Sequence, residues 1–250
     1  VSPDGAPGTP ARGGPAAATP PRNASASRDR TADGAAHEAP SAPASFDVAA
    51  SLWSTPPADL DAEAARLTAA GLRRWHWDVS DGAFAAPGGF DPATVARLTA
   101  ATGLPGEAHL MLTDPRPVLD AWADVCRTVI VHAEATGWRE AVEHVRARGA
   151  RPGVALSPGT PPDVLADLPP DVVVLVMAIT PGQAGSTFLP GTPARLDALA
   201  GRHADLGVDG GVTLDHARTC ARHGATWVVS GSALCAAPDP AAWLARARTP

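Results

Sequence analysis

The 250-residue sequence contains no lysine and no tyrosine, and its one asparagine is Asn23. All 20 of its basic residues are therefore arginine. Without a lysine amine there is no Schiff-base aldolase, no pyridoxal-phosphate enzyme and no Walker A phosphate loop. Cysteine is scarce: Cys126, Cys220 and Cys235 form no C-x-x-C pair. That usage predicts a reducing compartment and offers no thiolate zinc site. No stretch approaches the roughly 18 consecutive apolar residues of a membrane span, and the first residues lack the apolar run of a secretory signal. The expectation is a cytoplasmic protein with no membrane contact. A net charge of −6 also argues against a general binder of nucleic acid or membrane surfaces.

Large apolar side chains are missing from one part of the chain. After Val1 there is no Leu, Ile, Val, Met, Phe or Trp until Phe46. A segment so poor in burial cannot offset the entropy of ordering it, which predicts a disordered Ala/Pro/Gly/Ser-rich tail over 1–45 and a folded domain over 46–250. Four arginines and four acids balance within the tail, so the whole negative charge belongs to the domain.

From Phe46 onward, short β-like runs alternate with helical patterns. Strands are expected at 46–53, 75–80, 107–112, 128–133, 152–157, 172–179, 205–209 and 226–230. Amphipathic stretches such as Leu60-Ala64-Leu67 and Ala141-Val145 lie between them. Asp91-Pro-Ala and Thr192-Pro-Ala read as helix caps followed by proline in first position. Eight strand–helix units in about 205 residues point to a parallel sheet closed as a TIM (β/α)8 barrel. An open doubly wound sheet is the alternative, but no G-x-G-x-x-G follows the first strand.

A TIM barrel carries its chemistry at the C-terminal ends of the strands. His76 and Asp78 are two apart on strand 2, hence on one face. His109 sits on strand 3, and strand 4 ends in His132 and Glu134. Strand 7 ends in Asp209-Gly210-Gly211 and strand 8 in Ser230-Gly231-Ser232. Each residue alone has an ordinary structural explanation, as a packed histidine, a helix cap or a turn. Together, His76, Asp78 and His109 form half of a divalent-metal site that Asp209 could complete. Gly210, Gly211, Gly231 and Ser232 occupy the usual place for a phosphate. Metal and phosphate in one barrel mouth suggest a phosphorylated sugar handled through an enediolate.

The ordered set of motifs resembles the ribulose-phosphate 3-epimerase family over 46–250. The matching stretches are Ala-Ala-Ser-Leu-Trp-Ser (49–54), His-Trp-Asp-Val-Ser-Asp-Gly (76–82), His-Leu-Met (109–111) and Val-His-Ala-Glu-Ala (131–135). They continue with Ser-Pro-Gly-Thr-Pro (157–161), Thr-Pro-Gly-Gln-Ala-Gly (180–185), Val-Asp-Gly-Gly-Val (208–212) and Gly-Ser-Ala-Leu (231–234). The resemblance implies one divalent ion on His76, Asp78, His109 and Asp209, zinc first, with Fe2+, Mn2+ or Co2+ as alternatives. It implies Asp78 and Asp209 as the acid–base pair. Substrate contacts fall to Ser51, His109, Met111, Met177, Gly182, Gly185 and Asp209, with phosphate at Gly210, Gly211, Gly231 and Ser232. The implied reaction interconverts D-ribulose 5-phosphate and D-xylulose 5-phosphate in the pentose phosphate pathway. The implied partner is a small phosphorylated ketose, with no nucleic acid and no membrane, and homo-oligomerisation stays open.

Three departures from the family pattern stand out. Ser80 replaces a methionine, which predicts a looser apolar cover over the reacting carbons. Ala83–Pro87 and Thr180–Ser186 differ from the usual loops. These keep two alternatives in view: an epimerase for another ketose phosphate such as D-allulose 6-phosphate, and a catalytically impaired phosphosugar-binding barrel. Decarboxylase relatives built on Asp-x-Lys-x-x-Asp are excluded by the absence of lysine.

Overall fold

A computed structural model describes residues 46–183 and 185–249. The expected tail over 1–45, with Asn23, lies outside the described residues. Eight parallel strands follow one another in space as in sequence: β1 (Asp47–Ser51), β2 (Arg74–Ser80), β3 (Gly106–Met111), β4 (Thr128–His132), β5 (Arg151–Leu156), β6 (Val173–Met177), β7 (Leu206–Asp209) and β8 (Trp227–Ser230). β1 pairs with both β2 and β8, which closes the sheet into a barrel. Closure excludes the open-sheet alternative. The two-residue strand Gly88–Gly89 runs antiparallel to the end of β2.

The outer helices are α1 (Leu60–Ala69), α2 (Pro92–Thr102), α3 (Leu119–Val125), α4 (Trp138–Ala147), α5 (Thr192–Leu199), α6 (Leu214–Arg222), α7 (Ser232–Cys235) and α8 (Pro240–Ala247). None of the described helices is long and apolar enough to cross a membrane. Asp91 caps α2 as expected, accepting the Thr94 amide at 3.0 Å. Thr192 does not cap α5: it is the first helical residue, behind Gly191, and makes no side-chain cap bond. The fifth strand–helix unit also departs from expectation. Between β5 and β6 there is only a 3-10 turn, Pro162–Leu165, in a connection crowded with prolines that lack the amide a longer helix needs.

Two apolar layers sandwich the sheet. Helix faces such as Ala141, Val142 and Val145 of α4 cover its outside. Ala49, Ile130, Ala155, Val173, Leu175, Met177, Trp227 and Val229 fill its inside, so strands buried on both faces read as near-continuous apolar runs. Trp227 fits inside because Gly207 stands next to it; a Cβ there would fall 2.3 Å from the indole ring. Burying such a ring, at about 150–250 Å² of surface, contributes about 4–6 kcal/mol. The filled interior blocks the lower barrel, leaving the upper mouth for chemistry.

Candidate active site

Parallel register brings the polar residues together. His76 pairs with Glu107, and Asp78 with His109, between β2 and β3; Met177 pairs with Asp209 between β6 and β7. Because side chains alternate, all of these face the barrel interior. Ligand atoms of His76, Asp78, His109 and Asp209 lie within 4.8 Å of one another. His109 Nδ1 is 2.9 Å from Asp78 Oδ1 and 3.7 Å from Asp209 Oδ2. The Ser51 hydroxyl donates to Asp78 Oδ2 at 2.6 Å, fixing that carboxylate from the other side.

The environment separates the two aspartates. Burial works against the Asp78 charge, but His76 and His109 outweigh it and hold its pKa well below the ordinary carboxylate value. Burial, together with the nearby Asp78 charge, pushes Asp209 up to about 6. Burial likewise opposes a charge on His76, yet Asp78, Glu107 and Asp209 together raise its pKa well above the usual imidazole value.

The donor set fits a divalent cation. Two imidazoles and two carboxylates suit zinc or another first-row ion. His76 Nδ1 meets Glu107 Oε1 at 2.8 Å, which fixes that nitrogen as the donor. His76 Nε2 is completely buried, has no hydrogen-bond partner among the described residues, and faces the cluster; Asp78 Oδ1, though 3.2 Å away, is out of hydrogen-bond alignment. A carboxylate behind a histidine, with the other ring nitrogen turned to the cluster, is the usual support of a metal ligand.

Above the cluster opens a cavity of about 260 Å³. Ser51, Asp78, Met111, Met177, Gly182, Gly185, Asp209, Gly210, Gly211, Gly231 and Ser232 all line it, whereas the fully buried His76 and His109 lie beneath. Gly210 and Gly211 have φ of 110° and 64°, a region that favours glycine. A Cβ on Gly210 would fall 2.4 Å from Ile179 Cγ1, and one on Gly211 2.8 Å from the Ser186 carbonyl. Ser80 does not line the cavity, whereas Met111 and Met177 do. Its hydroxyl donates to the Ala85 carbonyl at 2.9 Å and ties down the following loop.

Sequence reasoning passed over Gln183, Ser186 and Thr213, which also line the cavity. It likewise assigned no role to Glu107, whose signal is the same two-residue spacing, from His109, that singled out His76 and Asp78.

Comparison with known proteins decides the family. Residues 47–235 match the family described as Ribulose-phosphate 3 epimerase. The chain belongs to this family. It is therefore an isomerase, a carbohydrate epimerase. Similar relatives include "Ribulose-phosphate 3-epimerase, cytoplasmic isoform" of Oryza sativa subsp. japonica, 32% identical over 209 residues, covering 80% of this chain and 91% of that protein. Ribulose-phosphate 3-epimerase of Mycobacterium tuberculosis (strain ATCC 25618 / H37Rv) is 34% identical over 207 residues, 77% of this chain and 90% of that protein. Among solved structures, 3-hexulose-6-phosphate synthase from Salmonella typhimurium superposes with a TM-score of 0.64 at 15% identity, covering 82% of this chain and 97% of that one. Orotidine 5'-phosphate decarboxylase from Pyrococcus horikoshii OT3 gives 0.57 at 16% identity, covering 80% and 97%. At these identities the two structures share the fold with this epimerase-family chain.

Proposed function

We propose that this epimerase interconverts D-ribulose 5-phosphate and D-xylulose 5-phosphate at a divalent ion, zinc first, held by His76, Asp78, His109 and Asp209. The observation that carries the proposal is the convergence of those four side chains within 4.8 Å under a cavity that also holds the paired glycines. A cytoplasmic setting, like that named for the rice relative, goes with the same reading.

Inversion at C3 needs a proton removed from one face and another delivered to the opposite face. Asp78 and Asp209 stand on β2 and β7, with β8 and β1 between them on one side and four strands on the other. Their pKa values are driven apart, so one carboxylate is ready to accept a proton and the other to give one. Asp78 removes the C3 proton of one epimer, leaving an enediolate, and Asp209 protonates the other face; the roles exchange in reverse. A bound divalent ion supplies Lewis-acid stabilisation for the charge that develops on the C2 and C3 oxygens. Ser51 holds Asp78 in position and reaches substrate from the cavity wall. Met111 and Met177 give the reacting carbons an apolar cover that keeps out water. Gly182 and Gly185 border the substrate, and Gly210, Gly211, Gly231 and Ser232 receive its phosphate, where the absence of Cβ atoms at the glycines leaves room for close approach.

Turnover on D-ribulose 5-phosphate and D-allulose 6-phosphate, with elemental analysis of the same sample, tests this reading. The pentulose is expected to be preferred, with one divalent ion per chain. Preference for the hexulose would overturn the substrate assignment, and turnover of neither by ion-loaded protein would overturn the catalytic one.

A further inference from the structure

Next to the proposed metal cluster, a buried histidine and a partly exposed glutamate form a chain of contacts that the epimerase mechanism does not use. His109 Nε2 lies 2.9 Å from His132 Nε2, with the rings stacked at 5.0 Å between centroids. His132 Nδ1 lies 2.9 Å from Glu134 Oε2, and the Ser157 hydroxyl is 3.3 Å from the same nitrogen. The other oxygen of Glu134 accepts the Ser157 amide at 3.0 Å. His132 is completely buried, and Phe84 covers it at 4.6 Å between centroids.

Hydrogen-bond accounting fixes the protons along this line. A carboxylate can only accept, so His132 Nδ1 carries the proton shared with Glu134. A neutral His132 then presents a bare Nε2, which must accept from His109 Nε2–H. With one proton held at Nε2, His109 has Nδ1 left for the cluster; in ion-free protein Asp78 Oδ1 accepts a proton from it at 2.9 Å, and a bound cation would stand in that proton's place.

We propose that Glu134 and His132 are positioning residues that, through this two-histidine relay, set the tautomer and ring orientation of His109 for metal binding. The inference rests on the reading of His109 as a metal ligand. It extends to a second histidine the support that a carboxylate usually gives a ligand directly. His76 and His109 are then served by separate devices, Glu107 behind the first and His132–Glu134 behind the second.

Substitutions distinguish a relay from simple packing. His132→Gln keeps an acceptor oxygen near the position of Nε2, whereas His132→Leu fills the space without one. Glu134→Gln is more specific. Its single amide oxygen is claimed by the Ser157 amide, so its NH2 faces His132 Nδ1 and demands a lone pair there, which inverts the relay and leaves the only proton of His109 on Nδ1, the nitrogen that would ligate.

The test uses the full chain. Zinc affinity is read by chelator competition, folding by circular dichroism, and ring tautomers by 15N–1H long-range correlation on ion-free protein. Expected results are zinc affinity about 10–100-fold weaker in His132→Leu and Glu134→Gln, within about threefold of the parent in His132→Gln, and a His132 protonated at Nδ1 alone in the parent. Parent-like zinc affinity in folded His132→Leu overturns the relay, as does equal loss in His132→Gln and His132→Leu. A parent His132 protonated at Nε2 overturns it without any substitution, so a variant that fails to fold does not leave the question open. Failure of the parent to bind zinc or any other divalent ion would instead sink the ligand reading of His109, and the inference with it.

Discussion

Glu107→Gln probes the support behind His76 with a change of a single atom. Glu107 Oε1 is 2.8 Å from His76 Nδ1, and Oε2 forms an ion pair with Arg74 Nη2 at 3.2 Å. Both oxygens therefore face N–H groups, and the side chain is almost completely buried. An amide has one oxygen, so in either orientation its NH2 meets a donor. Leaving a buried donor unmatched costs about 1–3 kcal/mol of stability. Losing the carboxylate behind a ligating histidine weakens metal binding about 10–100-fold. Urea denaturation of ion-free protein reads the first effect, and zinc competition with a chelator reads the second. Glu63→Gln is the control: its pair with Arg66 at 2.7 Å is partly exposed, so the change should stay within about 1 kcal/mol and leave zinc affinity unaltered. Folded Glu107→Gln protein with parental stability and parental zinc affinity would refute this account of His76.

Two further perturbations address the rim and the loop that carries the β2 motif. Gly211→Ala places a methyl group against the Ser186 carbonyl at a φ of 64°; it is expected to destabilise the chain by about 1–3 kcal/mol and raise KM for a phosphorylated ketose more than it lowers kcat, and an unchanged KM would remove this glycine from the phosphate site. Asp81 accepts the Phe84, Thr113 and Ala83 amides, which pull its pKa down to about 2, so its contribution is complete above pH about 4 and fades as pH falls toward 2. Asp81→Asn should cost about 1 kcal/mol at pH 7 after solvent screening, the gap from the parent closing below pH 4; denaturation curves showing an equal gap at pH 7 and pH 3 would contradict that cause.

The fold was legible because the strands of a closed parallel barrel are buried on both faces and read as apolar runs between Gly- and Pro-rich turns. All eight expected strands are present, with ends shifted by a residue or two where pairing rather than composition sets the limit. His76 and Asp78 were legible as a pair on one face because strand alternation is local. Register is not local, and that is where reading the sequence stopped. Nothing in Gly106–Met111 alone says that Glu107 lies beside His76, or that His109 Nε2 meets His132. Ser80 shows the same limit from the other side. Its motif gives no sign that the hydroxyl is taken by the Ala85 carbonyl five residues on. At α5, Thr192 carries the composition of a cap, but the helix begins one residue earlier than that reading requires.

The central claim, that Asp78 and Asp209 pass protons on opposite faces of C3, is tested most directly by running the ion-loaded enzyme in D2O and locating deuterium in the product. The account predicts deuterium at C3 of the newly formed epimer. It also predicts loss of inversion by at least about 100-fold in Asp78→Asn and Asp209→Asn, with metal content measured in the same samples so that a lost ion is not mistaken for a lost base. A parent product with no solvent deuterium at C3, or near-parental inversion by either ion-loaded variant, would contradict it.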